Sequence, residues 1–318
     1  MTISRFFKLI ELRTKVASVI PYLLGTFYTL YAFDTFKPIN ALLMFLSMLI
    51  FDMATTAINN YMDYKKAIQK EGYGYEVHNP IHSYELSLKS VGYIILTMLV
   101  LSAALGIMLA LRTNIIVLLL GMLCFAIGVL YTFGPLPISR TPFGEVFSGI
   151  TMGLILTFIT IYIHIFDQNI IGISLFNNQL LMSLDLSVLV PIGIVCVPLI
   201  TCIANIMLAN NLCDMEEDLS NKRYTLPLYI SREKALILWE CLYYVAYGAI
   251  SIGILIKALP LTSAMTLFTL IPLRKNIKFF KAKQFKGETF IYAIKNFMLI
   301  NVVYILTVVV ALLFNWIG

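Results

Sequence analysis

The sequence predicts an all-α, polytopic transmembrane helix bundle of about nine spans, and three observations carry that prediction. Hydrophobic residues make up 60% of the 318 residues and charged residues only 13%, with a mean hydropathy of +0.88. Soluble domains carry about 25% charged residues, so this composition cannot clothe a water-exposed exterior. Runs such as Ile115 to Phe133 and Asn301 to Trp316 contain no charged side chain and approach or reach the length that crosses a hydrocarbon core of about 30 Å. Lys and Arg, finally, fall almost entirely in alternate inter-span segments.

The apolar windows follow one another along the chain. The first, 15–33, comes after Arg5, Lys8, Arg13 and Lys15, and lacks the short apolar core and small-residue site of a removable signal peptide. The next three are 40–62, 91–111 and 114–133. The fifth, 143–166, contains Gly149 and Gly153, a GxxxG spacing that predicts close helix packing. The sixth, 187–212, contains Pro191 and Pro198, and a kink is expected there. The last three are 235–257, a short 259–273, and 295–316. No linker or water-soluble domain interrupts the series, so residues 1–318 read as one integral-membrane domain. The five cysteines lie in or at the ends of apolar segments without a CxxC pair and read as small buried hydrophobes.

Orientation follows from the cations. With the N-terminus in the cytoplasm, twenty Lys and Arg fall on the cytoplasmic side and three (Lys37, Arg112 and Lys257) on the other. That split predicts a multi-pass cell-membrane protein with its C-terminus outside, and the excess of positive charge reads as topology rather than as a nucleic-acid surface. The longest polar segments, 63–90 and 211–234, then both lie on the cytoplasmic side. Chemistry should be sought there.

At about 100° per residue, Asp52, Thr56, Asn59 and Asp63 form one polar stripe on the second helix. Asn211, Asp214 and Asp218 share a face at the end of the sixth. Charged groups inside membrane helices are costly and normally face a bundle interior or wet cavity. Two clusters of carboxylates and amides can converge on one cavity, and hard oxygen donors suit Mg²⁺, which is commonly held by one or two carboxylates plus substrate phosphates. Lys222 and Arg223 follow the second cluster, placed to grip diphosphate oxygens. Asp52 lies deeper and reads equally as a supporting or a purely structural group. His164 reads as packing near the outer end of the fifth span, and His78 as a loop residue near the expected mouth, a candidate for acceptor contact.

These residues resemble the UbiA-type intramembrane prenyltransferases, and most of all the MenA-like branch that prenylates 1,4-dihydroxy-2-naphthoate in menaquinone synthesis. Asn59-Asn60-Tyr61-Met62-Asp63-Tyr64-Lys65-Lys66 resembles the first aspartate motif, NDxxD. Tyr131-Thr132-Phe133-Gly134-Pro135-Leu136-Pro137 with Thr141-Pro142-Phe143-Gly144-Glu145 resembles the loop after the fourth helix. Asn210-Asn211-Leu212-Cys213-Asp214-Met215-Glu216-Glu217-Asp218 with Asn221-Lys222-Arg223-Tyr224-Thr225-Leu226 resembles the second motif, NNxRDxxxD, and its basic tail.

The resemblance implies that Asn59, Asp63, Asn211, Asp214 and Asp218 hold Mg²⁺ ions bridging a polyprenyl diphosphate. It implies that Lys222 and Arg223 bind the diphosphate, and that Tyr131 lines the cavity near the reacting carbon, with Asp63 and Asp214 indispensable. An aromatic acceptor and the lipid bilayer complete the expected partners. Asn60 stands where many members have Asp, Cys213 replaces an Arg, and Ala67 stands where some branches have a further Asp. The loop His78-Asn79-Pro80-Ile81 has no arginine, where other branches often place one, and Arg140 is a candidate to supply that positive charge. An ion-coupled transporter, a non-catalytic prenyl-lipid binder, or an enzyme for another aromatic acceptor are the competing readings. Oligomeric state and prenyl length are not legible in the sequence.

Overall fold

The computed structural model describes residues 2–66, 79–176 and 179–317. Among these, the nine apolar windows become nine long helical elements: α1 Val16–Phe33, α2 Pro38–Lys66, α3 Leu88–Arg112, α4 Ile115–Leu130, α5 Gly144–Gln168, α6 Leu186–Cys213, α7 Arg232–Leu255, α8 Leu270–Ala282 entered through a 3-10 stretch Leu261–Thr269, and α9 Ile291–Ile317. Seven, all but α4 and α8, are long and apolar enough to cross a membrane. The expected nine spans are thus approached rather than matched. α4 has 16 residues, or about 24 Å of helix, which falls short of the core thickness. α8 carries Arg274, Lys275, Lys278 and Lys281 on its α-helical part, so its apolar content sits in the 3-10 stretch. The loop after α5 holds an element the sequence reading missed, an antiparallel hairpin of β1 Ile171–Phe176 and β2 Gln179–Leu184.

The surface is unlike that of a soluble protein. Asn205, Asn296 and Asn301 are fully buried, whereas Leu111 and Leu255 are more than four-fifths exposed. These leucines can face outward because lipid is as apolar as they are, and the amides face inward because lipid offers them no partner.

The helices close into a ring. α2 packs along α3, α5 along α1 and α6, α6 along α7, and α9 returns to both α6 and α1. Gly149 and Gly153 permit the α5–α6 contact: a Cβ on Gly153 would lie 2.5 Å from the Ile200 backbone nitrogen, and one on Gly149 2.7 Å from the Ile200 carbonyl oxygen. Side chains there would push the helices apart. Gly149–Ile155 is π-helical, a local widening of the kind frequent at functional sites. α6 runs unbroken through Pro191 and Pro198.

The N-terminal segment is strapped beneath the bundle. After a short helix, Ile3–Leu9, the fully buried Leu9 and Ile10 pack with Ala54, Ala57, Ile81 and Val91.

Candidate active site

The inward stripe of α2 does not act as one unit. Asp52, Thr56 and Asn59 line a cavity of about 310 Å³ together with Tyr131 and Ser148, above an apolar chamber walled by Met44, Met48, Phe51, Leu109, Leu156 and Ile159. Asp52, however, is already fully engaged. The Lys15 Nζ donates to its Oδ1 at 2.8 Å, to its backbone carbonyl at 3.0 Å and to Thr56 Oγ1 at 2.6 Å, while Ser18 Oγ donates to Oδ2 at 2.6 Å. Three ammonium donors are spent and both carboxylate oxygens are satisfied. Asp52 is a tether between α1 and α2, and Lys15, counted in the sequence only as a cytoplasmic charge, is its counter-ion.

Asn60 turns away from the cavity. Its Nδ2 donates to the Leu9 carbonyl at 3.0 Å and to Glu11 Oε1 at 3.1 Å, and its own carbonyl accepts from Asn79 Nδ2 at 2.9 Å. An amide suits this role because it donates to both acceptors. Ala67 and His78 lie outside the described residues.

The second cluster is built where α6 ends. Asp214 follows the last residue of α6, and a short helix, Met215–Ser220, carries Asp218. Asp218 is buried; its Oδ2 accepts from Thr225 Oγ1 at 3.0 Å, and its Oδ1 lies 3.2 Å from Arg223 Nε. Lys222 adopts a left-handed backbone (φ 55°), which reverses the chain so that the Arg223 amide donates to the Asp218 carbonyl at 2.8 Å. The Arg223 Nε–H is buried, and its pairing with Asp218 is electrostatic rather than an aligned hydrogen bond. Burial pushes the Asp218 carboxyl up to about 6 against the pull of Arg223. Asp214 pairs with Lys286 Nζ at 2.5 Å, a cation from the loop before α9.

Asn211, itself buried, donates from Nδ2 to Glu145 Oε1 at 2.8 Å. Glu145 lies in the first turn of α5 and is 3% exposed. Neither Lys286 nor Glu145 was singled out in the sequence.

The loop after α4 joins the two clusters. The Tyr131 hydroxyl lies 3.4 Å from the Gly144 carbonyl, and the Arg140 carbonyl accepts from the Tyr224 amide at 3.1 Å, stitching this loop to the one behind Asp218. Burial and the neighbouring Arg223 pull the Arg140 guanidinium below its ordinary value, while Asp63 and Asp218 act in the opposite sense. Burial and Asp214 raise the Glu217 carboxyl, and Asp63 adds to that rise. Asp63 on α2 thus lies within electrostatic range of groups on both loops, which brings the two acidic helix ends, Arg140 and Arg223 into one neighbourhood. Lys222 is exposed at its edge.

Among the described residues no group of three or more His, Cys, Asp or Glu side chains could hold a metal by itself. The available donors are all oxygens, and they are divided between two helix ends. Such a set fits a hard ion that keeps water and completes its shell with substrate phosphate, as Mg²⁺ does, rather than a ready-made cage.

Comparison with known proteins bears on this geometry. The profile of the UbiA prenyltransferase family matches residues 18–303. A 1,4-dihydroxy-2-naphthoate octaprenyltransferase from Bacillus subtilis (strain 168) is 31% identical over 239 residues, covering 74% of this chain and 68% of the relative. Among solved structures, a UbiA homolog from Aeropyrum pernix K1 superposes with a TM-score of 0.66 at 18% identity, covering 92% of this chain and 98% of that one. A UbiA homolog from Archaeoglobus fulgidus bound to DMAPP and Mg²⁺ gives 0.65 at 14% identity, covering 97% and 99%. At these identities the structural likeness speaks to the fold.

Proposed function

The chain belongs to the UbiA prenyltransferase family, a multi-pass membrane enzyme on that footing, and we propose that it moves a polyprenyl group from its diphosphate to 1,4-dihydroxy-2-naphthoate in menaquinone biosynthesis. The observation that carries this reading is that the ends of α2 and α6 act on one another's charged groups together with Arg140 and Arg223, while Asn59, one turn before Asp63, lines an apolar chamber. Charge at the mouth fits a diphosphate and the chamber fits its hydrocarbon tail.

In this mechanism Asn59, Asp63, Asn211, Asp214 and Asp218 would hold Mg²⁺, which when bound supplies Lewis-acid neutralisation of the diphosphate. Arg223 and Lys222 donate to the diphosphate oxygens, and Arg140 adds positive charge beside them. The allylic C–O bond breaks with its electron pair leaving on the diphosphate, and these cations stabilise the charge that develops there. The Tyr131 ring faces the cavity, where an aromatic face stabilises an allylic cation. The chamber walls exclude the water that would quench it. The acceptor attacks through the ring carbon bearing its carboxylate. That C–C bond then breaks to release CO₂, and its electron pair restores the aromatic ring. The positive-inside count supports a site that opens to the cytoplasm.

The test uses membranes supplied with prenyl diphosphate and a panel of aromatic acceptors. Wild type is expected to release diphosphate only with Mg²⁺ and to yield a decarboxylated prenyl-naphthoquinol by mass spectrometry. Asp63→Ala and Asp214→Ala are expected to lose at least about 100-fold in turnover while still inserting in the membrane. Wild-type turnover in either variant would overturn the assigned site. Product from a hydroxybenzoate but not from the naphthoate would overturn the acceptor.

A further inference from the structure

Glu145 stands apart from the other acidic residues of the site. It is 3% exposed, Oε1 accepts from Asn211 Nδ2 at 2.8 Å, and Oε2 is buried with no partner. It lies within electrostatic range of Asp218, and its neighbour Gly144 touches the Tyr131 hydroxyl. A buried carboxylate with one oxygen unpartnered is costly to keep, so its position demands a reason.

An asparagine amide has a donor end and an acceptor end, and fixing one fixes the other. Glu145 holds the donor end of Asn211 toward α5. The Asn211 Oδ1 therefore points the opposite way. Free of that bond, the amide could turn its NH₂ toward the site, presenting a donor where a cation needs an oxygen. We propose that Glu145 is a positioning residue of the diphosphate site, acting through Asn211 to present Oδ1 to the divalent ion. The inference rests on the functional reading above. It assigns to the first turn of α5 a part in ion binding that Glu145 makes without direct contact.

The test measures binding rather than turnover. Purified protein in detergent is given a prenyl thiolodiphosphate, which does not ionise, and Mg²⁺ is titrated by thermal shift. Glu145→Ala is expected to raise the Mg²⁺ midpoint about 10- to 100-fold, the usual cost of losing a residue that orients a ligand. Glu145→Gln keeps an acceptor for Asn211 and is expected to stay close to wild type. Asn211→Ala should raise the midpoint similarly, and the double variant Glu145→Ala/Asn211→Ala should add nothing further. Glu145→Leu, which fills the volume without an acceptor, serves if the alanine variant fails to fold. An unchanged midpoint in Glu145→Ala or Glu145→Leu overturns the inference. So does a loss in Glu145→Gln as large as in Glu145→Ala, or losses that multiply in the double variant. A wild type that binds the analogue without regard to Mg²⁺ overturns the functional reading as well.

Discussion

At the scale of single residues, two aspartates on one helical stripe meet different fates because of what faces them. Asp52 and Asp63 are indistinguishable by periodicity. Asp52 is closed off by Lys15 and Ser18, whereas the charge of Asp63 reaches Arg140 and Glu217 across the site. Periodicity reads which residues share a face of their own helix, so both acidic clusters were legible. It cannot read a partner from another element. Lys286 lies 72 residues from Asp214, and Glu145 lies 66 from Asn211, so no local spacing could have revealed either. The loop holding Glu145 was noticed only through its family resemblance. Lys286 also bears on Cys213, which stands where the motif has an arginine: the structure supplies a cation at Asp214 from a different loop. Lys286→Gln is accordingly expected to raise the KM for prenyl diphosphate about tenfold, as loss of one charge-assisted hydrogen bond would, with the acceptor KM unchanged. Steady-state kinetics with each substrate varied in turn checks this. An effect confined to the acceptor would sink it.

At the scale of elements, the helix windows were legible because uninterrupted apolar runs have few alternatives in a membrane. The π-helical turn in α5 and the β1–β2 hairpin were not, since neither leaves a period of its own in so apolar a stretch. The Gly149–Gly153 spacing did predict a close contact, and its partner proves to be the α6 backbone at Ile200. A rigid backbone cannot yield as a flexible side chain can. Gly153→Val is expected to destabilise the folded protein by more than about 3 kcal/mol, at or beyond the usual cost of overpacking. Loss of the monodisperse peak on detergent gel filtration reads this out. A variant that behaves like wild type would mean that α5 and α6 are farther apart than described.

At the scale of the whole molecule, the cations counted for topology include those proposed to serve the site. Arg140, Lys222, Arg223 and Lys286 all belong to the side assigned to the cytoplasm, whereas Lys37, Arg112 and Lys257 lie opposite. Sidedness is therefore open to a direct check in a background without the five native cysteines. Lys283→Cys is expected to react with an impermeant thiol reagent only after cells are opened, and Lys257→Cys in intact cells. The reverse pattern would invert the proposed orientation and turn the site outward.

The buried Lys15–Asp52 pair also bears on how the protein is made. Asp52, near the middle of α2, would by itself resist entering the bilayer, by about 3 kcal/mol on insertion scales. Because its counter-ion Lys15 sits at the start of α1, that cost is offset only when both segments leave the insertion machinery as a joined hairpin. Biogenesis of the first two spans should then be a single event, with the ribosome past α2 before α1 is committed to lipid.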